Sequence, residues 1–99
     1  MKQKRRVNAM YFTADWCQPC KSFKPVVVEE LGSREIEVHF YDADSNTDLI
    51  GANNVMSLPT VIFLGWENTF HTDEIARVAG ASKKQLDEAL KRVQEYLEA

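Results

Sequence analysis

Ninety-nine residues, 44% hydrophobic and 27% charged, suit one soluble domain (1–99) with a single modest core and leave no room for a second. A formal net charge of -3 excludes a general attraction to nucleic acid. The longest apolar runs, such as Val61-Ile62-Phe63-Leu64, are far too short to span a bilayer, so no membrane partner is expected.

The chain opens on Met1-Lys2-Gln3-Lys4-Arg5-Arg6, which reads as a solvated basic arm over residues 1–6. Its charge resembles the start of a signal peptide, yet only Val7 to Phe12 follows, interrupted by Asn8. No adequate apolar region or cleavage site is visible, and a cytoplasmic location is expected. There a lone Cys-x-x-Cys is more often catalytic than structural.

Val7-Asn8-Ala9-Met10-Tyr11-Phe12 is short and largely apolar, as a strand buried on both faces should be. It leads into Asp15-Trp16-Cys17-Gln18-Pro19-Cys20-Lys21, which holds both cysteines. From about Cys17 to Leu31 the pattern turns helical, with Phe23, Val27 and Leu31 at four-residue spacing and Gly32 as the expected stop. Pro25 lies inside, removes one backbone hydrogen bond and should kink the axis.

A thiol at the start of a helix and a second one turn inside it lie within reach of each other, which allows an intramolecular disulfide. Unpaired N–H groups at the helix start favour a thiolate at Cys17, and the thiolate is the nucleophile. Cys17 is therefore the expected attacking sulfur and Cys20 the resolving one.

Glu35-Ile36-Glu37-Val38-His39-Phe40-Tyr41 alternates charged and apolar residues, the pattern of a strand with one wet face at a sheet edge. Strand, helix, strand with this spacing implies a right-handed crossover and parallel pairing, with the cysteines at the carboxyl end of the first strand. Asp42 to Asn46 supplies turn and capping residues for a short helix, roughly 46 to 53, ending in Asn53-Asn54. Pro59 cannot donate to a ladder and fits only the beginning of the strand Thr60 to Leu64; it is also a candidate cis peptide. Gly65 to Asp73 reads as a turn-prone connection to a strand near Glu74 to Val78, which pairs antiparallel. Beyond Gly80 and Ala81, Ser82 and Gln85 fit a capping box. The helix that follows, about 83 to 97, presents Leu86, Ala89, Leu90, Val93 and Leu97 on one face.

With Trp16-Cys17-Gln18-Pro19-Cys20-Lys21, then Pro25, then Leu58-Pro59-Thr60, then Gly80 before a terminal helix, the chain resembles the thioredoxin family over roughly residues 7 to 98. The resemblance implies a thioredoxin-like α/β fold and a protein-disulfide reductase that cycles a Cys17–Cys20 dithiol and disulfide. It implies no bound cofactor, a thioredoxin-reductase-type electron donor, disulfide-containing protein substrates and a monomer. The proline matching Pro59 is cis in the family and packs against the disulfide. Substrate contacts are expected at Trp16, Leu58, Pro59, Ala79 and Gly80, with Gln18 and Pro19 supporting the cysteines.

Four departures stand out. Gln18 occupies a position that is usually Gly, so the redox potential is not inherited. Tyr11 and Phe40 stand where many members carry a buried Asp and Lys, which leaves water, Asp15 or the leaving thiolate to take the proton of Cys20. Lys21 and Lys24 lie near enough in sequence to support a thiolate. The usual preceding strand and helix are missing, so a four-stranded mixed sheet flanked by helices is expected. The Phe63 to Gly80 connection is also longer than usual, and its Trp66 and Phe70 should fold onto the core or form a recognition tip.

A glutathione-dependent, glutaredoxin-like reductase is the nearest alternative, although Gln-Pro replaces Pro-Tyr between the cysteines. A non-catalytic binding or assembly subunit is the second. Metal binding is not expected, because His39 and His71 are not spaced to join the cysteines in a recognised site.

Overall fold

The computed structural model describes residues 5–67 and 72–99. Strand β1 spans Arg6–Thr13, and its alternation sends Ala9 and Tyr11 to one face and Met10 and Phe12 to the other. Apolar side chains on both faces suit a central strand. It pairs in parallel with β2, Glu37–Asp42, and antiparallel with β3, Thr60–Trp66. The fourth strand, β4 at Asp73–Ala79, pairs antiparallel with β3, giving the order β2-β1-β3-β4 among the described residues. The mixed sheet and the edge position of β2 agree with the pattern in the sequence.

Helix α1, Gln18–Ser33, and helix α3, Lys83–Glu98, cover one face. Cys20, Phe23, Val27 and Leu31 form the buried row of α1, while Leu86, Ala89, Leu90 and Val93 form that of α3. Ser82 caps α3 by accepting the Gln85 N–H at 3.1 Å. Leu97 departs from the expected row, being 37% exposed. On the opposite face, after a 3₁₀ turn at Ala43–Ser45, the six-residue α2, Thr47–Ala52, packs through Leu49 and Ile50.

Gly32 is not where α1 stops. The helix continues to Ser33, and the chain reverses at Glu35, whose φ is 59°. The N–H of Ile36 reaches the Leu31 carbonyl at 2.9 Å and that of Glu35 reaches Gly32 at 3.0 Å, the paired bonds of a Schellman end. Ile36 and Leu31 share the same buried cluster, which supplies its hydrophobic contact. Residues 35 and 36 thus belong to this turn, and β2 begins two residues later than its alternation suggests. The same motif ends α2, with Asn54 at φ 52°.

Two other expectations change. Arg5 and Arg6 belong to the fold: Arg6 begins β1, while Arg5 pairs with Glu67 at 2.8 Å and donates to the Tyr96 carbonyl at 2.8 Å. Gly65 and Trp66 are strand, not connection, opposite Val7 and Arg6. A Cβ at Gly65 would come within 2.6 Å of the Tyr96 ring, so a larger residue there would have to displace that ring. Trp66 is half-buried and outside the core clusters, and Phe70 and His71 lie outside the described residues.

Candidate active site

The site grows out of the turn that joins β1 to α1. Cys17 donates its N–H to the Ala14 carbonyl at 3.1 Å and holds extended angles, φ -94° and ψ 102°. Those are N-cap angles, and the capping atom is sulfur: Cys17 Sγ accepts the Cys20 N–H at 3.3 Å. Pro19 in the first turn brings no N–H of its own, and no acidic residue stands there to compete for the positive end of the helix. Once the pair is reduced, the same N–H meets an anion at Cys17 better than a thiol, so the cap stabilises the thiolate.

Cys17 and Cys20 form a disulfide with their Cα atoms 5.3 Å apart. Cys20 is fully buried and Cys17 is 5% exposed, both packed with Ala14 and Leu58. Gln18 and Pro19 lie exposed between them on the first turn. Trp16 is 68% exposed, and its indole Nε1 donates to Asp44 Oδ2 at 3.0 Å. That bond holds the ring at the rim of an apolar groove of about 300 Å³, lined by Trp16, Cys17, Ile50, Val55, Met56 and Leu58. Met56 is 92% exposed on the same rim.

The remaining expected contacts lie one strand over. The Leu58–Pro59 peptide is cis, and the Pro59 carbonyl accepts the Gly80 N–H at 2.7 Å. Gly80 takes φ 101°, which favours glycine, and Ala79 pairs with Thr60 just beside it. The structure therefore brings Trp16, Cys17, Cys20 and Leu58 together around the cysteines and the groove, while the buried Pro59 follows Leu58 in the chain and is tied through its carbonyl to Gly80, next to Ala79.

Tyr11 and Phe40 are register partners and meet edge to face, ring centroids 5.6 Å apart. The Tyr11 hydroxyl donates to the Cys20 carbonyl at 2.8 Å, and burial pushes the phenol up to about 12. Lys24 places its ammonium over the Phe40 ring, 4.4 Å from the centroid, so its charge is directed to β2. Asp15 and Lys21 are exposed. His39 lies on β2, 3.5 Å from Glu37, and among the described residues no group of three or more His, Cys, Asp and Glu is clustered to hold a metal. No described helix is long and apolar enough to cross a membrane.

Two functional contacts were not legible beforehand. Asp44 sits in a stretch that reads only as a turn, 28 residues from Trp16, and the fold alone joins them. Tyr11 reads as a departure from a family pattern, with nothing local to show that its hydroxyl reaches the helix.

A helix capped by a sulfur that is bonded to a buried cysteine one turn inside it, just beyond the carboxyl end of β1 in a mixed sheet, defines a thiol–disulfide oxidoreductase of thioredoxin-like fold. The thioredoxin family model matches residues 1–92, and the chain belongs to that family of protein-disulfide reductases. It is 33% identical over 98 residues to thioredoxin H7 of Arabidopsis thaliana, covering 97% of this chain and 69% of that protein. With the mitochondrial thioredoxin-2 of Schizosaccharomyces pombe it shares 34% over 92 residues, covering 91% of this chain and 65% of the relative's length. The crystal structure of Fasciola hepatica thioredoxin superposes with a TM-score of 0.69 at 28% identity, covering 88% of this chain and 80% of the other.

Proposed function

We propose that the protein reduces disulfides in protein substrates, with Cys17 as nucleophile and Cys20 as resolving thiol. The observation that carries this reading is the capping bond from the Cys20 N–H to Cys17 Sγ, which makes one sulfur of the pair the better anion. In the first step the Cys17 thiolate attacks one sulfur of the substrate disulfide. The substrate S–S bond breaks, and the departing sulfur leaves with the electron pair as a thiolate. Cys20 then gives up its proton and attacks Cys17 Sγ, so the mixed disulfide breaks, the second substrate sulfur leaves reduced and the Cys17–Cys20 bond closes.

Tyr11 holds its proton and Phe40 has none to exchange, so neither takes the proton of Cys20. It leaves on the substrate side, to the departing thiolate, water or the exposed carboxylate of Asp15. Two electrons must then return to the pair from outside, and a thioredoxin-reductase-type donor supplies them. The groove beside Cys17 suits an apolar side chain next to the substrate cysteine. The backbone near Leu58 and Pro59 suits an extended substrate segment. The reading includes a cytoplasmic location, where thiols are kept reduced, and a monomer, since one copy carries every residue of the site.

The test is trapping. With a disulfide-bonded protein substrate, Cys20→Ser accumulates a covalent mixed disulfide on non-reducing gels, whereas Cys17→Ser gives neither adduct nor turnover. Normal turnover by Cys20→Ser would overturn the assignment.

A further inference from the structure

The phenol beneath the disulfide is chemically over-specified for packing. Tyr11 has no exposed surface, and Phe23 and Phe63 in the same cluster show that rings without a hydroxyl fill this core. A buried hydroxyl is tolerated only with a partner, and this one donates its proton to a single main-chain atom, the Cys20 carbonyl oxygen. That carbonyl belongs to the same peptide group as the Lys21 N–H, which donates to the Cys17 carbonyl at 3.3 Å. The preceding peptide group supplies the Cys20 N–H that caps the Cys17 sulfur. Consecutive peptide planes therefore connect Tyr11 to both ends of the dithiol turn.

The helix start is one main-chain bond short, because Pro25 removes the donor that the Lys21 carbonyl would otherwise accept. Pro19 costs none, since a first-turn N–H has no acceptor within the helix. The Tyr11 hydroxyl adds a tie at the peptide just before that gap. On its other side the Tyr11 ring is fixed edge-on by Phe40, itself covered by Lys24.

We infer that Tyr11 is a positioning residue for the second half of the reaction: its hydroxyl locks the Cys20–Lys21 peptide plane and so holds the resolving sulfur in line with Cys17. The inference rests on the roles proposed for the two cysteines. It separates the steps, because the attack of Cys17 on substrate needs the cap alone, whereas the attack of Cys20 on Cys17 needs the two sulfurs aligned.

Tyr11→Phe keeps the ring and removes only the donor. In rapid-mixing experiments with a small chromogenic disulfide, the first attack should stay within about twofold of the parent. Resolution of the mixed disulfide should slow by about tenfold. Amide exchange at Cys20 and Lys21, followed by NMR, should speed up by a similar factor. Val27→Ala, which weakens the same core without touching the turn, serves as the control and should leave resolution unchanged. Equal slowing of both steps, unchanged resolution, or equal slowing in Val27→Ala would overturn the positioning role. Failure of the underlying reading shows separately, as a Cys20→Ser variant that traps no adduct.

Discussion

The two faces of the sheet are made by alternate residues of the same strands, yet they are closed very differently. On one, Ala9, Tyr11, Val61, Phe63, Ala76 and Val78 lie under two sixteen-residue helices, and buried residues of α1 and α3 join them in one core. On the other, Phe12, Val55 and Ile62 are the fully covered residues, under a six-residue helix. Met10, Leu49, Ile50, Leu58 and Leu64 remain partly exposed around them. The active site straddles this difference. Cys20 belongs to the buried row of α1, whereas Ile50, Val55 and Leu58 form the groove and Asp44 steadies Trp16. The bond-making sulfurs are thus anchored on the densely packed side, and the surface that meets substrate is built on the lightly packed one, where local adjustment is easiest.

The largest expected effect breaks the dense side. Leu86→Ala removes a fully buried side chain from the core between α3 and the sheet and should cost about 3 kcal/mol. Leu64→Ala, on the thin side and partly exposed already, should cost about 1 kcal/mol or less. Denaturant unfolding of the two variants compares the faces directly. Equal losses would mean that the difference in cover has no energetic counterpart.

Tyr11 sharpens the comparison through pH. Its phenol is pushed up to about 12 in the fold from an ordinary value of 10.0, by burial on the dense side. Above pH 10 the unfolded chain releases a proton that the native protein keeps, so each further step in pH favours unfolding. The stabilisation is complete below pH 10 and falls as pH rises toward 12, by on the order of 2 kcal/mol. Tyr96 is also raised, chiefly by burial, and adds a slope of the same sign. The free energy of unfolding measured from pH 9 to 12 should therefore fall less steeply in Tyr11→Phe than in the parent. Parallel curves would show that this phenol does not carry the effect.

What the sequence revealed follows the same division. Regular periodicity exposed the buried rows: Phe23, Val27 and Leu31 at four-residue spacing, and Leu86, Ala89, Leu90 and Val93 after the Ser82 cap. The cysteine pair carried its own chemistry in its spacing. Contacts that cross the chain without a local pattern stayed hidden, as with Trp16 to Asp44, Tyr11 to the Cys20 carbonyl and Arg5 to Glu67. Strand ends were misjudged where a turn-prone residue serves packing. Gly65 looks like the opening of a loop, but it pairs in the ladder opposite Val7, and the missing side chain leaves room there for the Tyr96 ring. The end of α1 was misplaced for the converse reason: Gly32 has open space around it and the helix simply continues, while Glu35, a residue with no such reputation, takes the left-handed turn.

That turn gives the smallest effect and the finest comparison between the faces. The ends of α1 and α2 share one geometry, but α2 places Asn at the left-handed position, which Asn tolerates, whereas α1 places Glu there. Glu35 also sets a carboxylate beside the negative end of a helix. Replacing it with glycine removes both penalties, at the expense of a more flexible unfolded chain, and should raise stability by about 0.5 kcal/mol. Glu35→Ala keeps the backbone penalty and removes only the charge, so it should gain less. Asn54→Gly should be close to neutral. A larger gain from Glu35→Gly than from Glu35→Ala, with none from Asn54→Gly, would show that the dense face tolerates a strained helix end that the thin face has avoided. A loss of stability in Glu35→Gly would instead mean that the Glu35 side chain contributes more than its backbone angle costs.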